Sequence, residues 1–249
     1  MPPRSRAFAL GCVLLVALHA GAVGTLWASG AAPESPEPRT VDRPADPATL
    51  LVAAAKNDAA LPMRSEVEIT DPADGTTVGR AHVAADPTEG RVRARVPVRR
   101  PSAPFDADEV YLTVWGRWER EGSGWRYSGG SANAYRGTSP RLFFPVPDRA
   151  GEVRTTRHEN GTVTVRLVDA RSSLGMLSSA GDGATLVYRI AFDDGRPYVA
   201  AAKATPATDG GLTVTVERRR GATVQRPDGL PPATPREVGD RLRAGVRLA

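Results

Sequence analysis

The chain has 249 residues, a formal net charge of +5 and one cysteine, Cys12. That length can bury a sizeable core as one domain or as two, and a lone cysteine excludes an internal disulfide, so packing must hold the fold. The basic excess is small and scattered, and it is carried by arginine apart from Lys56 and Lys203, which excludes nucleic acid as an expected partner.

Residues 1–30 carry only Arg4 and Arg6, so removing them takes the formal charge from +5 to +3. The uncharged run from Ala7 to Gly30 contains Val13-Leu14-Leu15-Val16-Ala17-Leu18, and it is long enough to cross a hydrocarbon core about 30 Å thick. Basic residues stay on the cytoplasmic side, which directs the remainder outward. Ala28-Ser29-Gly30-Ala31-Ala32 offers small residues to a signal peptidase. Two readings stand, a cleaved signal peptide or an uncleaved transmembrane anchor. Both give an extracytoplasmic protein, secreted or held at the cell membrane. Ala9-Leu10-Gly11-Cys12 is similar to a lipoprotein signal, but most of the apolar run follows Cys12 and Ala9-Leu10 reverses the usual order. Cys12 is read as a small apolar residue of the membrane segment rather than a lipidation site.

Residues 31–45, with Pro33, Pro36, Pro38 and Pro44, read as a linker. Asp46-Pro47 is an N-cap followed by proline at the first helical position, and the Ala- and Leu-rich stretch Ala48–Ala60 predicts a helix ending before Pro62. The period then changes to two. Val67 and Ile69 share one face of a strand over Ser65–Thr70. In Arg91–Arg99, arginines alternate with small apolar residues, which reads as the wet face of a half-buried strand. The sharper alternative is a docking stripe for anionic lipid headgroups or an acidic partner.

Glu109–Trp118 predicts one strand with Val110, Leu112 and Val114 on one face and Tyr111 and Trp115 on the other, so it should be covered on both sides. Gly122-Ser123-Gly124 turns it into Trp125-Arg126-Tyr127. The clustered tryptophans are core or line a ligand cavity, since large aromatic surfaces suit apolar ligands. Val153–His158 and Thr162–Val168 form a hairpin through Asn160-Gly161, a dipeptide suited to a type I′ turn. Val163, Val165 and Leu167 make its buried face. Ser172–Ser179 can form a short helix. Leu186, Tyr188, Ile190 and Phe192 then alternate, Asp194-Gly195 turns the chain into Tyr198–Ala204, and Gly210-Gly211 turns it into Leu212, Val214 and Val216. A last short strand is expected at Ala222–Gln225, and Thr234-Pro235-Arg236-Glu237 resembles a capping box opening a short terminal helix. The sum is a helix and about nine or ten antiparallel strands, a mainly β member of the α+β class whose meander twists and curls. The expected organisation is 1–30 signal or anchor, 31–45 linker, 46–230 β domain and 231–249 tail.

Catalytic patterns are absent from the sequence. There is no serine nucleophile elbow, phosphate-cradling glycine loop or HExxH helix. His19, His82 and His158 lack the spacing of zinc ligands. Asp106, Asp108 and Glu109 can attract a cation, although a strand-entry loop accounts for them. Neither an enzyme nor a cofactor is expected.

The order of features resembles the LolA/LolB-type lipoprotein-carrier fold, especially the actinobacterial lipoproteins of the LppX/LprG type. The resemblance rests on the helix Ala48–Ala60, on Val110-Tyr111-Leu112-Thr113-Val114-Trp115 with Trp118 and Trp125, on Phe192-Asp193-Asp194-Gly195-Arg196-Pro197, and on Gly221-Ala222-Thr223-Val224-Gln225-Arg226-Pro227. It implies a strongly curved half-barrel sheet whose open side is closed by helices over an apolar cavity. It further implies a non-enzymatic role, binding or carrying a lipid or a lipoprotein acyl chain. The candidate cavity residues are Trp115, Trp118, Val163, Val165, Tyr188, Ile190 and Phe192. The competing expectation is an anchored envelope sensor or interaction domain that meets a protein partner without lipid.

Overall fold

The computed structural model describes Thr40 and residues 46–101, 107–113, 116–129, 150–170, 180, 182–208, 211–232 and 238–239. Residues 1–30, the short helix expected at 172–179 and the capping box at 234–237 lie outside them. Among the described residues no helix is long and apolar enough to cross a membrane.

Helix α1 (Pro47–Ala60) begins as the sequence predicts. The Asp46 carboxylate accepts the N–H groups of Ala48 and Thr49, each at 3.0 Å, and Pro47 occupies the first turn. Eleven strands follow: β1 (Met63–Thr70), β2 (Thr77–Asp86), β3 (Arg91–Arg99), β4 (Glu109–Thr113), β5 (Gly116–Glu121), β6 (Gly124–Gly129), β7 (Glu152–Arg157), β8 (Val163–Ala170), β9 (Ala184–Asp193), β10 (Arg196–Thr205) and β11 (Thr213–Arg220). They make one sheet, in the order β6-β5-β4-β3-β2-β1-β11-β10-β9-β8-β7. Two meanders therefore meet where β1 pairs β11. The outermost strands β6 and β7 do not pair, and the sheet is a curved half-barrel rather than a closed barrel. Right-handed strand twist accumulated over so many neighbours makes a flat sheet unfavourable.

Several details depart from the sequence reading. Strand β2 was not expected, because alanine and glycine punctuate both of its faces and blur the alternation. The stretch Glu109–Trp118 is not one strand: the chain reverses between Thr113 and Gly116, which are register partners. The hairpin at Asn160-Gly161 is not a type I′ turn, since Gly161 has φ 79° while Asn160 lies outside the left-handed region. The His158 carbonyl accepts the Gly161 N–H at 2.9 Å, and the His158 N–H donates to Thr162 at 3.0 Å. That is a three-residue loop closed by a left-handed glycine. Asp194-Gly195, with φ 49° and 73°, is the true two-residue type I′ turn. Ala222–Gln225 is not a strand. Its buried Ala222 and Val224 alternate with exposed neighbours, but alternation reports half-burial and not a ladder partner.

The inner face of the sheet, on which α1 packs, is one apolar cluster. Val67 and Ile69 of β1 meet Val216 and Val214 of β11 in register, and all four are fully buried. Leu50, Leu51 and Ala54 bring α1 onto this cluster at helical spacing. One turn further along, polar groups fix the helix. Asn57 donates through Nδ2 to the Pro197 carbonyl at 2.8 Å, and the Val199 N–H donates to Asp58 at 3.3 Å beside the register shift in β10. The Asp58 carboxylate pairs with Arg218, whose Nε donates to the Ser65 hydroxyl at 3.2 Å. Both charged groups are buried.

Burial pushes the Asp58 carboxyl from 3.8 up to about 6, against the pull of Arg218 and of the Val199 N–H. Between those values the folded chain holds a proton that the unfolded chain has released. Stability therefore falls as pH rises through this window and is level above it. Urea unfolding across pH 4–7 should show that slope in the parent and not in Asp58→Asn. Near neutral pH, Asp58→Ala should cost about 3–5 kcal/mol, because it strands a buried guanidinium, whereas the double variant Asp58→Leu/Arg218→Met should recover most of the loss.

Candidate functional site

Alternation along β8, β9 and β10 lays apolar side chains in rows across the inner face. Val163, Ile190 and Val199 form one row in register; Val165, Tyr188 and Ala202 form the next. Val165 and Ile190 are completely buried, and Tyr188 is almost so. Burial drives the Tyr188 phenol well above its ordinary range, so it stays neutral under all physiological conditions. Phe192, opposite Pro197 at the end of the strand, packs half-buried against the same cluster. The structure thus brings together Val163, Val165, Tyr188, Ile190 and Phe192. On this face Arg218 is an arginine neutralised by Asp58.

Trp118 goes elsewhere. It sits on β5 in register with Tyr111 of β4 and Tyr127 of β6. With Val224 from the segment after β11, these residues form a second cluster on the outer face, with Leu230 and Trp125 at its margin. The rings of Trp118 and Tyr127 are 5.2 Å apart and inclined at 58°, within the range of favourable aromatic pairs. Leu112 belongs to the inner cluster while Tyr111 belongs to the outer one, so β4 is covered on both sides as its sequence indicates. Trp115 and Cys12 lie outside the described residues.

The acidic group near β4 is directed to arginine. Glu109 is buried and receives Arg93 at 2.5 Å, Arg120 at 2.7 Å and Arg95 at 3.3 Å. Asp108 accepts the Gly122 N–H at 3.0 Å and pairs with Arg99 at 3.3 Å. Asp106 lies outside the described residues. Among the described residues no group of histidine, cysteine and carboxylate side chains is arranged to hold a metal ion. Arg93 was expected on a wet face. It is instead mostly buried against Glu109, with its side chain 16% exposed.

No protein-family model matches the chain, and no curated protein matches it. Among solved structures it is similar to an uncharacterized conserved protein from Thermus thermophilus, at 14% identity and TM-score 0.44, covering 74% of this chain and 96% of that one. It is similar to the Mycobacterium tuberculosis lipoprotein LppX at 12% identity and TM-score 0.40, covering 70% and 95%. A LolA superfamily protein from Nitrosomonas europaea aligns at 10% identity and TM-score 0.37, covering 74% and 96%. These are likenesses of architecture.

Because the two clusters occupy opposite faces, they should respond to truncation independently. Ile190→Ala should cost about 2–5 kcal/mol and Trp118→Ala about 3–5 kcal/mol. Denaturant unfolding of the double variant should give their sum, whereas Ile190→Ala and Val163→Ala, on register partners, should couple measurably.

Proposed function

We propose that the protein is a non-enzymatic extracytoplasmic binder of a lipid or lipoprotein acyl chain, taken up on the inner face of the half-barrel. What supports this is the breadth of the apolar face against the size of its helix. The inner cluster draws on β1–β4 and β8–β11, eight neighbouring strands that span roughly 38 Å at about 4.8 Å per strand. A helix of the length of α1 covers a strip about 21 Å long and about 10 Å wide.

Val165 and Ile190 are already fully buried, so an acyl chain enters by displacing what covers them. Helix α1 suits such a cover. Among its described residues Leu50, Leu51 and Ala54 join the inner cluster, and its position is fixed at one end by Asn57 and Asp58. A chain of about fourteen carbons offers about 11 kcal/mol gross on burial, much of it offset by ordering the ligand and opening the site. No catalytic group is required. Residues 1–30 would place the β domain of residues 46–230 outside the membrane, tethered or released, with residues 31–45 as spacer.

The close packing of the inner face favours a second reading, an anchored sensor or interaction domain in which the cluster serves only as core. Native mass spectrometry of full-length protein extracted from its own membranes separates the two. A co-purifying lipid at one per chain is expected, and it should exchange with an added fatty acid. Protein that is repeatedly lipid-free and refuses the fatty acid, but brings down an envelope protein in stoichiometric amount, supports the second reading and sinks the first.

A further inference from the structure

The outer face presents a groove of about 740 Å³ between β11, β1, β2 and β3 and the segment Thr223-Val224-Gln225. Sheet register arranges its floor in rows. Arg219 faces Arg64, Arg64 faces Ala84, and Ala84 faces Arg93. This row carries only positive charge. Neighbouring strands are about 4.8 Å apart, which puts Arg219 directly beside Arg64 and Arg93 about 10 Å beyond it. Like charges directly opposite each other destabilise a strand pair. Even so, neither the Arg64 nor the Arg219 side chain has an ion-pair or hydrogen-bond partner among the described residues, and both are exposed. Glu109 does not cancel the excess nearby, since one carboxylate is shared by Arg93, Arg95 and Arg120.

The next row, about 6.8 Å along the strands, runs Glu217, Glu66, His82, Arg95. It is mixed in sign and rich in groups that accept or donate to hydroxyls. Glu66 would repel a second anionic group there, while Glu217 is paired with Arg189 at 3.1 Å. The wall is held firmly, because Val224 is buried among Tyr111, Trp118 and Tyr127, while the flanking Thr223 and Gln225 line the groove.

We propose that this groove binds a phosphate ester of a sugar or polyol, with the phosphate between Arg64 and Arg219 and the hydroxyls on the Glu217–Glu66–His82 row. Guanidinium groups bind phosphate oxygens in bidentate fashion, which gives the paired arginines a partner that the described residues do not supply. The same headgroup chemistry occurs in free sugar phosphates and in polyol phospholipids. The site is on the face opposite the proposed acyl-chain surface and does not depend on that reading.

Calorimetric titration of the full-length chain in neutral detergent micelles tests the assignment, with glucose 6-phosphate, glucose, and micelles doped with phosphatidylglycerol as probes. Glucose 6-phosphate should bind at least about tenfold more tightly than glucose, and Arg64→Gln/Arg219→Gln should weaken it by about tenfold or more. Binding of the doped micelles alone, lost in that variant, also supports the site and assigns it to a lipid headgroup. The variant should melt at or above the parent temperature, because it removes a repulsion. Absence of binding to either phosphate probe, binding that the variant leaves undiminished, or a lowered melting temperature would each overturn the proposal.

Discussion

The whole sheet depends on the pairing of β1 with β11. Every other strand contact joins neighbours in the chain, whereas this one brings Met63 against Arg220 and Thr70 against Thr213. Closing so long a loop costs entropy before any contact rewards it. The reward is concentrated at the seam itself, where Val67, Ile69, Val214 and Val216 interlock at zero exposure. A one-residue slip of either strand would turn its own pair of these residues outward and its charged residues inward, so the register is strongly specified. Each meander alone would own half of an apolar face; joined at this seam, they own one.

The seam also sets the chemistry of both faces. Inside, it places Ser65 and Arg218 beside Asp58, giving α1 a polar anchor at the end of an otherwise apolar contact. Outside, it aligns Arg64 with Arg219 and Glu66 with Glu217. One pairing thus produces a hydrocarbon-like surface on one side and a charged groove on the other. The two proposed ligands differ accordingly, and neither face needs the other to be occupied.

Features whose cause is local were legible in the sequence. The Asp46-Pro47 cap, the turns at Gly122 and Asp194-Gly195, and the inward alternation of Val67, Ile69, Val163, Val165, Leu186, Tyr188 and Ile190 follow from residue type and period. What failed involved partners distant in the chain. Trp118 and Tyr188 are equally aromatic, and only the reversal between Thr113 and Gly116 decides that they occupy opposite faces. The arginine alternation of β3 was visible, but burial of Arg93 required knowing that Glu109 lies beside it. Arg64 and Arg219 are far apart in sequence and unremarkable singly; their juxtaposition exists only through the seam. Strand β2 escaped notice because Gly79, Ala81, Ala84 and Ala85 carry little hydrophobic contrast, although Ala81, Val83 and Ala85 all enter the inner cluster.

An unclosed sheet retains two borders that pair with no further strand among the described residues, and an unpaired border is a template on which further copies can polymerise strand by strand. Strand β7 forms one such border and is exposed along its entire length. Its sequence, Glu152-Val153-Arg154-Thr155-Thr156-Arg157, places a charge at each end and another near the middle, and Arg154 is tied to Glu152 at 2.5 Å. Pairing a further strand along this border would strip these charged side chains of water. The border therefore resists fibrillar stacking through its own side chains, which lets the protein keep its half-barrel open without becoming self-adhesive.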